Sequence, residues 1–123
     1  MNRPRATLVI AERNANIREL LRREFGREGY AVITAGSGAE VLSRLAAAKE
    51  VDLLVLDAEM AGPDGATIMP RLEDAFPGLP VVLHGFAGFD CSQGGVARVE
   101  KGGDFERLKR TVREVLGHWD ESG

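Results

Sequence analysis

Short apolar, often β-branched runs alternate along this chain with stretches whose apolar residues recur every three or four positions, and the alternation predicts strands and helices in turn. Leu8-Val9-Ile10 reads as a buried strand. Asn14 then offers an N-cap for a helix carrying Ile17, Leu20, Leu21 and Phe25 on one stripe, and Gly29 closes it. Tyr30 to Thr34 is the second strand. Ser37 and Glu40 form a capping-box pair ahead of Val41, Leu42 and Leu45. Val51 to Leu56 is almost wholly apolar, as expected of a central parallel strand covered on both faces, and it ends in Asp57.

The second half continues the pattern. Gly62-Pro63-Asp64-Gly65 is a turn, followed by a helix with Ile68, Met69, Leu72 and Phe76 inward; Pro70 strains that helix unless it lies in the first turn. Pro80 to Leu83 is a fourth strand and Val96 to Val99 a fifth. The glycine-rich stretch Gly85 to Gly95 between them has no helical stripe and reads as a loop. Asp104 caps a last helix with Phe105, Leu108, Val112, Val115 and Leu116 inward. Residues 1–117 form the expected domain and 118–123 a polar, frayed tail.

Five strands alternating with helices predict an α/β fold: a doubly wound, five-stranded parallel sheet with helices on both faces. In such sheets function gathers at the C-terminal strand ends, here Glu12, Arg13, Asp57, Glu59, His84, Gly85 and Lys101.

Composition narrows the picture without naming a function. With 44% hydrophobic and 28% charged residues in 123, the chain is that of one globular domain. Its one cysteine, Cys91, has no partner within the chain and no zinc spacing, which suits a reducing, cytoplasmic setting. No apolar run is long enough to cross a bilayer, and Ala6 to Ile10 is too short for a signal-peptide core. A net charge of −3 gives no reason to expect nucleic acid as a partner of this domain.

Several segments together resemble the receiver domain of response regulators. They are Leu8-Val9-Ile10 with Glu12-Arg13-Asn14; Gly29-Tyr30-Ala31-Val32; Ala35 to Glu40; Asp52 to Met60 with Asp64-Gly65; Leu79-Pro80-Val81-Val82; and Lys101. The resemblance covers about Ala6 to Leu116 and implies a flavodoxin-like, CheY-like fold in two-component (phosphorelay) signalling. It implies Asp57 as phosphoacceptor, Lys101 as phosphoryl-binding residue or salt-bridge partner, and Glu12 with Asp57 as the carboxylates of a Mg²⁺ site. Phosphoryl transfer needs in-line placement and neutralisation of the transferred oxygens by metal and lysine.

This sequence departs from the family pattern at several of those positions. Arg13 replaces the second acid, Gly85 the hydroxyl, Arg98 the aromatic switch residue and Gly102 the proline after the lysine. Between Gly85 and Lys101 there is too little chain for a full fourth helix, which is expected to be shortened or missing. Two unit charges ~4 Å apart interact by roughly 4 kcal/mol at an effective dielectric of about 20. A millimolar metal site is worth only about 4 kcal/mol in all. A guanidinium in place of a carboxylate therefore argues against tight Mg²⁺, and no other cofactor is expected. Arg13 is expected to act instead as a built-in cation paired with Asp57 or Glu12.

Glu12, Arg13 and Glu59 thus read as a degenerate acidic pocket, and Gly85 and Arg98 as degenerate switch positions. His84 is expected to be a structural or exposed histidine, and the basic residues Arg107, Lys109, Arg110 and Arg113 a solvated or docking face of the last helix. The expectation is a non-enzymatic pseudo-receiver working by phosphorylation-independent contact with signalling proteins, a histidine kinase or downstream effector among them. The alternative is a functional receiver phosphorylated on Asp57 by a histidine kinase, for which Mg²⁺ would be required. A homodimer is compatible with either. A flavodoxin-like or phosphatase-like enzyme fits poorly, because Glu59 stands where a second catalytic aspartate would be needed.

Overall fold

Parallel pairing aligns the five strands so that their C-terminal ends share one edge of the sheet. The computed structural model describes residues 3–60, 65–86 and 96–121. The elements run β1 (Thr7–Ala11), α1 (Ala15–Arg27), β2 (Ala31–Ala35), α2 (Gly38–Ala47), β3 (Leu53–Asp57), α3 (Gly65–Ala75), β4 (Val81–Gly85), β5 (Ala97–Glu100) and α4 (Glu106–Glu121). The strand order is β2-β1-β3-β4-β5, all parallel, so the winding reverses between β1 and β3. That reversal is where doubly wound sheets place their sites. Ala11 pairs with Leu56, Asp57 with His84, and Gly85 with Glu100.

Strand side chains alternate between faces, and each face buries its own cluster. Leu8, Ile10, Leu53, Val55, Val82 and Val99 pack with Leu21 and Phe25 of α1 and Leu108, Val112 and Leu116 of α4. Val9, Ala11, Leu54, Leu56 and Leu83 pack with Val41 and Leu45 of α2 and Ile68, Met69 and Leu72 of α3. Each large side chain buried this way contributes about 1.5–3 kcal/mol. Every residue of β3 is buried, as its unbroken apolar run requires.

Helix ends follow the sequence signals. Asn14 Oδ1 accepts from the amides of Asn16 (2.9 Å) and Ile17 (3.0 Å). At the other end of α1, Gly29 at φ 97° lets its own N–H reach Gly26 O (3.0 Å) and that of Tyr30 reach Phe25 O (3.2 Å), which satisfies two end carbonyls. Ser37 Oγ accepts from Glu40 N (3.2 Å), while Glu40 Oε1 accepts from Gly36 N (2.7 Å). Asp104 Oδ1 accepts from Glu106 N (3.2 Å) at the start of α4.

Four details differ from expectation. Leu20 is 45% exposed, because Leu21 and Phe25 take the buried line of α1 and Leu20 falls beside it. Pro70 is the sixth residue of α3, past the first turn, and leaves the carbonyl of Ala66 without its helical donor. β4 continues through His84 to Gly85, so the expected loop begins later. α4 runs on past Gly117 to Glu121. The expected short or missing fourth helix falls on 87–95, outside the described residues, as do the tail residues 122–123 and the turn at 61–64. Among the described residues no helix lies between β4 and β5, and none is long and apolar enough to cross a membrane.

Candidate functional site

The residue after β1, the last of β3 and the residue after β5 converge at the C-terminal edge. Glu12 follows β1 with its amide on Ala35 O (3.0 Å), and Lys101 follows β5 with its amide on Gly85 O (2.6 Å). These backbone bonds extend the ladder by one residue at each place, so both side chains are fixed by the sheet itself. Glu12 is 2% exposed and Asp57 1%.

Lys101 Nζ lies 3.2 Å from Asp57 Oδ1, as a hydrogen bond, and 3.2 Å from Glu12 Oε1, as an ion pair without hydrogen-bond geometry. Asp57 Oδ1 also accepts from Glu59 N (3.0 Å), and Asp57 Oδ2 from Arg13 N (3.2 Å). Glu12 Oε2 accepts from Asn14 N (3.1 Å). Phe86, 58% exposed, sets its ring 5.0 Å from the Lys101 ammonium.

The two carboxyls are held differently. Burial pushes Glu12 up from the usual carboxylate range, with the charge of Asp57 adding to it, against the Asn14 amide and Lys101. Burial also works to raise Asp57, but the amides of Glu59 and Arg13 together with Lys101 outweigh it, and its pKa is lowered. Asp57 is therefore held in its ionised form more firmly than Glu12.

Arg13 is not where the sequence put it. Its guanidinium pairs with Glu59, and the two side chains are 58% and 41% exposed. Only its backbone N–H reaches Asp57. The reason is local: Lys101 already pairs with both buried carboxylates, and a guanidinium is hydrated more cheaply outside beside Glu59 than packed against an ammonium. The built-in cation is Lys101. By the same contact Glu59 leaves the acidic pocket and serves as the outer partner of Arg13.

Gly85 is buried at the end of β4 and brings no hydroxyl to the pocket, and Arg98 is exposed on β5. His84 is buried (3% exposed), not solvent-facing, and burial, with the charge of Lys101 adding, holds its pKa down to about 4. Its Nδ1 has no hydrogen-bond partner among the described residues.

For a hard divalent cation the pocket offers two carboxylates, Glu12 and Asp57, against one ammonium. Among the described residues no three acidic, histidine or cysteine side chains gather as a metal-ligating group. The site's hydrogen-bonding amides and the aromatic beside Lys101 were not legible in advance. The only hint of the Arg13–Glu59 pair was the opposite charge of two residues flanking adjacent strand ends.

The profile of the response regulator receiver domain matches residues 8–108. The transcriptional regulatory protein GlrR of Escherichia coli K12 is 34% identical over 83 residues, which is 68% of this chain and 18% of GlrR. This chain thus spans under a fifth of that relative's length. The response regulator TrrA of Thermotoga maritima, solved in complex with Mg(2+)-BeF, superposes with a TM-score of 0.79 at 29% identity, covering 90% of this chain and 99% of that one. TrrA bound to the histidine kinase ThkA gives 0.77 at 29% identity, covering 90% and 98%.

Proposed function

This chain belongs to the response regulator receiver domain family, and we propose that within two-component signalling it acts as a pseudo-receiver, through protein–protein contact that does not require phosphate on Asp57. The observation that carries this reading is the composition of the pocket: two buried carboxylates bridged by Lys101, with a guanidinium turned to Glu59 where the family's pattern has a third acid.

Two carboxylates and an ammonium sum to one negative charge, too little to pull a divalent ion from its water at millimolar concentration. Asp57 Oδ1 is also engaged twice, by Lys101 and by the Glu59 amide. The residues present do not fit Mg²⁺ in the family's manner, so no phosphoryl-transfer step is derived through it. Gly85 offers no hydroxyl to grip a phosphoryl group, and a ligand moves a two-state equilibrium only through differential contacts. The partner class is a signalling protein, a histidine kinase or a downstream effector.

The second reading is a working receiver, phosphorylated on Asp57 by a histidine kinase. It is favoured by one observation: the Arg13 guanidinium points outward and leaves the ionised Asp57 unblocked by it. A small phosphodonor with Mg²⁺ separates the two by intact mass. The pseudo-receiver gives no mass gain; a stoichiometric gain that needs Mg²⁺ and vanishes in Asp57→Ala establishes the working receiver instead.

A further inference from the structure

A hollow of about 400 Å³ lies between the start of α2 and α3, outside the Asp57 pocket. Its floor is apolar, made by Leu42, Met60 and Ile68. Gly38 lies at one end, where an added Cβ would make van der Waals contact with Ile68 Cδ1 at 3.4 Å. Arg71 lines it from α3, and the paired side chains of Arg13 and Glu59 line it from the ends of β1 and β3. Among the described lining residues two guanidiniums stand against one carboxylate, one surplus positive charge in a chain whose total is −3.

We propose that this hollow binds a small organic monocarboxylate with a compact apolar body, and that its occupancy is felt at Asp57 through Arg13 and Glu59. Binding pockets for small molecules pair an apolar lining with a few placed polar groups, and this one has the volume and that division. The apolar floor takes the body. Arg71 takes the head, because Arg13 is already neutralised by Glu59 and guanidinium matches a carboxylate bidentately. One surplus charge suits a monoanion over a dianion.

The connection to Asp57 is direct. The two residues that wall the hollow are also the two whose backbone amides hold the oxygens of Asp57, Arg13 on Oδ2 and Glu59 on Oδ1. A carboxylate held on Arg71 adds a negative charge beside the Arg13–Glu59 pair, and a change in that pair is passed to both amide donors. This site goes beyond the pseudo-receiver reading and stands whether or not Asp57 accepts phosphate.

The test is a titration of the ¹⁵N-labelled protein with sodium benzoate at constant ionic strength, beside benzamide (same body, no charge) and acetate (same charge, no body). Benzoate is expected to shift Gly38, Ala39, Arg13 and Glu59 amides along one saturable curve, with benzamide and acetate at least tenfold weaker. Arg71→Gln, a substitution at an exposed position whose circular dichroism is expected to match the wild type, should weaken benzoate at least fivefold. Acetate equal to benzoate would mean a general ion effect, and benzamide equal to benzoate a purely apolar surface. Either result, no saturable shift, unmoved Arg13 and Glu59 amides, or an Arg71→Gln protein that binds like the wild type overturns the proposal.

Discussion

Arg13 and Glu59 pair with each other through their side chains while each gives its backbone N–H to a different oxygen of Asp57. The arrangement separates two roles that the sequence merges at position 13. The main chain supports the carboxylate, and the guanidinium is left to the surface. Asp57 is thus held ionised by two amides and Lys101 without any help from the arginine charge.

Arg13→Asp should raise divalent-cation affinity. It adds a carboxylate beside Glu12 and Asp57 and removes a nearby cation. The position is more than half exposed, so the gain is well below the full Coulomb figure. An increase of about tenfold, or roughly 1.4 kcal/mol, is expected by calorimetric titration with Mg²⁺. Unchanged affinity would show that the guanidinium, turned outward as it is, was never the obstacle.

His84 makes stability depend on acid. Its folded pKa is about 4 against an ordinary 6.5, so between those values the unfolded chain binds a proton that the folded one refuses. Stability therefore falls as pH drops from about 6.5 to about 4, at up to about 1.4 kcal/mol per pH unit and roughly 3 kcal/mol in all. Glu12, whose pKa is raised, works in the opposite direction, since its contribution declines as pH rises through its folded value. Urea denaturation across this range in wild type and His84→Gln isolates the histidine: the variant should lose the slope, and parallel curves would refute the assignment.

The fold was legible because its signals are local. Asn14, Gly29 and Ser37 mark helix ends through bonds to their own neighbours, and the apolar run of β3 can be buried only in the middle of a sheet. The convergence of Glu12, Asp57 and Lys101 was legible too, through parallel topology and the family's pattern. What could not be read was the choice among charges brought together from three strand ends. Lys101, Arg13, Glu12, Asp57 and Glu59 allow several pairings, and the winner depends on burial: Lys101 is 12% exposed at its side chain and Arg13 58%. Leu20 failed for a similar reason, since its stripe is wider than the line of α1 that meets the sheet.

A second charge cluster fastens α1 to α4. Lys109 is 7% exposed, with Nζ 2.8 Å from Glu24 Oε1, 3.6 Å from Glu28 Oε2 and 3.5 Å from Glu106 Oε2. It is thus no member of a solvated basic face. Lys109→Met leaves three carboxylates facing one another, and the urea midpoint should fall by an amount equivalent to about 1 kcal/mol at low salt. The loss should shrink at high ionic strength, which screens the remaining repulsion. A salt-independent loss would assign the effect to packing of the lysine stem instead.

Phe86 completes the surroundings of Lys101. Its ring centroid lies 5.0 Å from the ammonium, and the residue is more than half exposed. Little apolar burial is therefore lost in Phe86→Ala, and global stability should change by only about 0.5–1 kcal/mol, the range of an exposed cation–π contact. The local effect is larger. With the ring removed, water reaches the ammonium from that side, and Lys101 alternates more freely between Asp57 and solvent. Modification of Lys101 by an amine-reactive reagent, read by peptide mass mapping, should then run several-fold faster than in wild type, while Lys109 reacts at an unchanged rate. Equal rates at Lys101 in both proteins would show that the carboxylates alone, without the aromatic ring, hold the lysine in place.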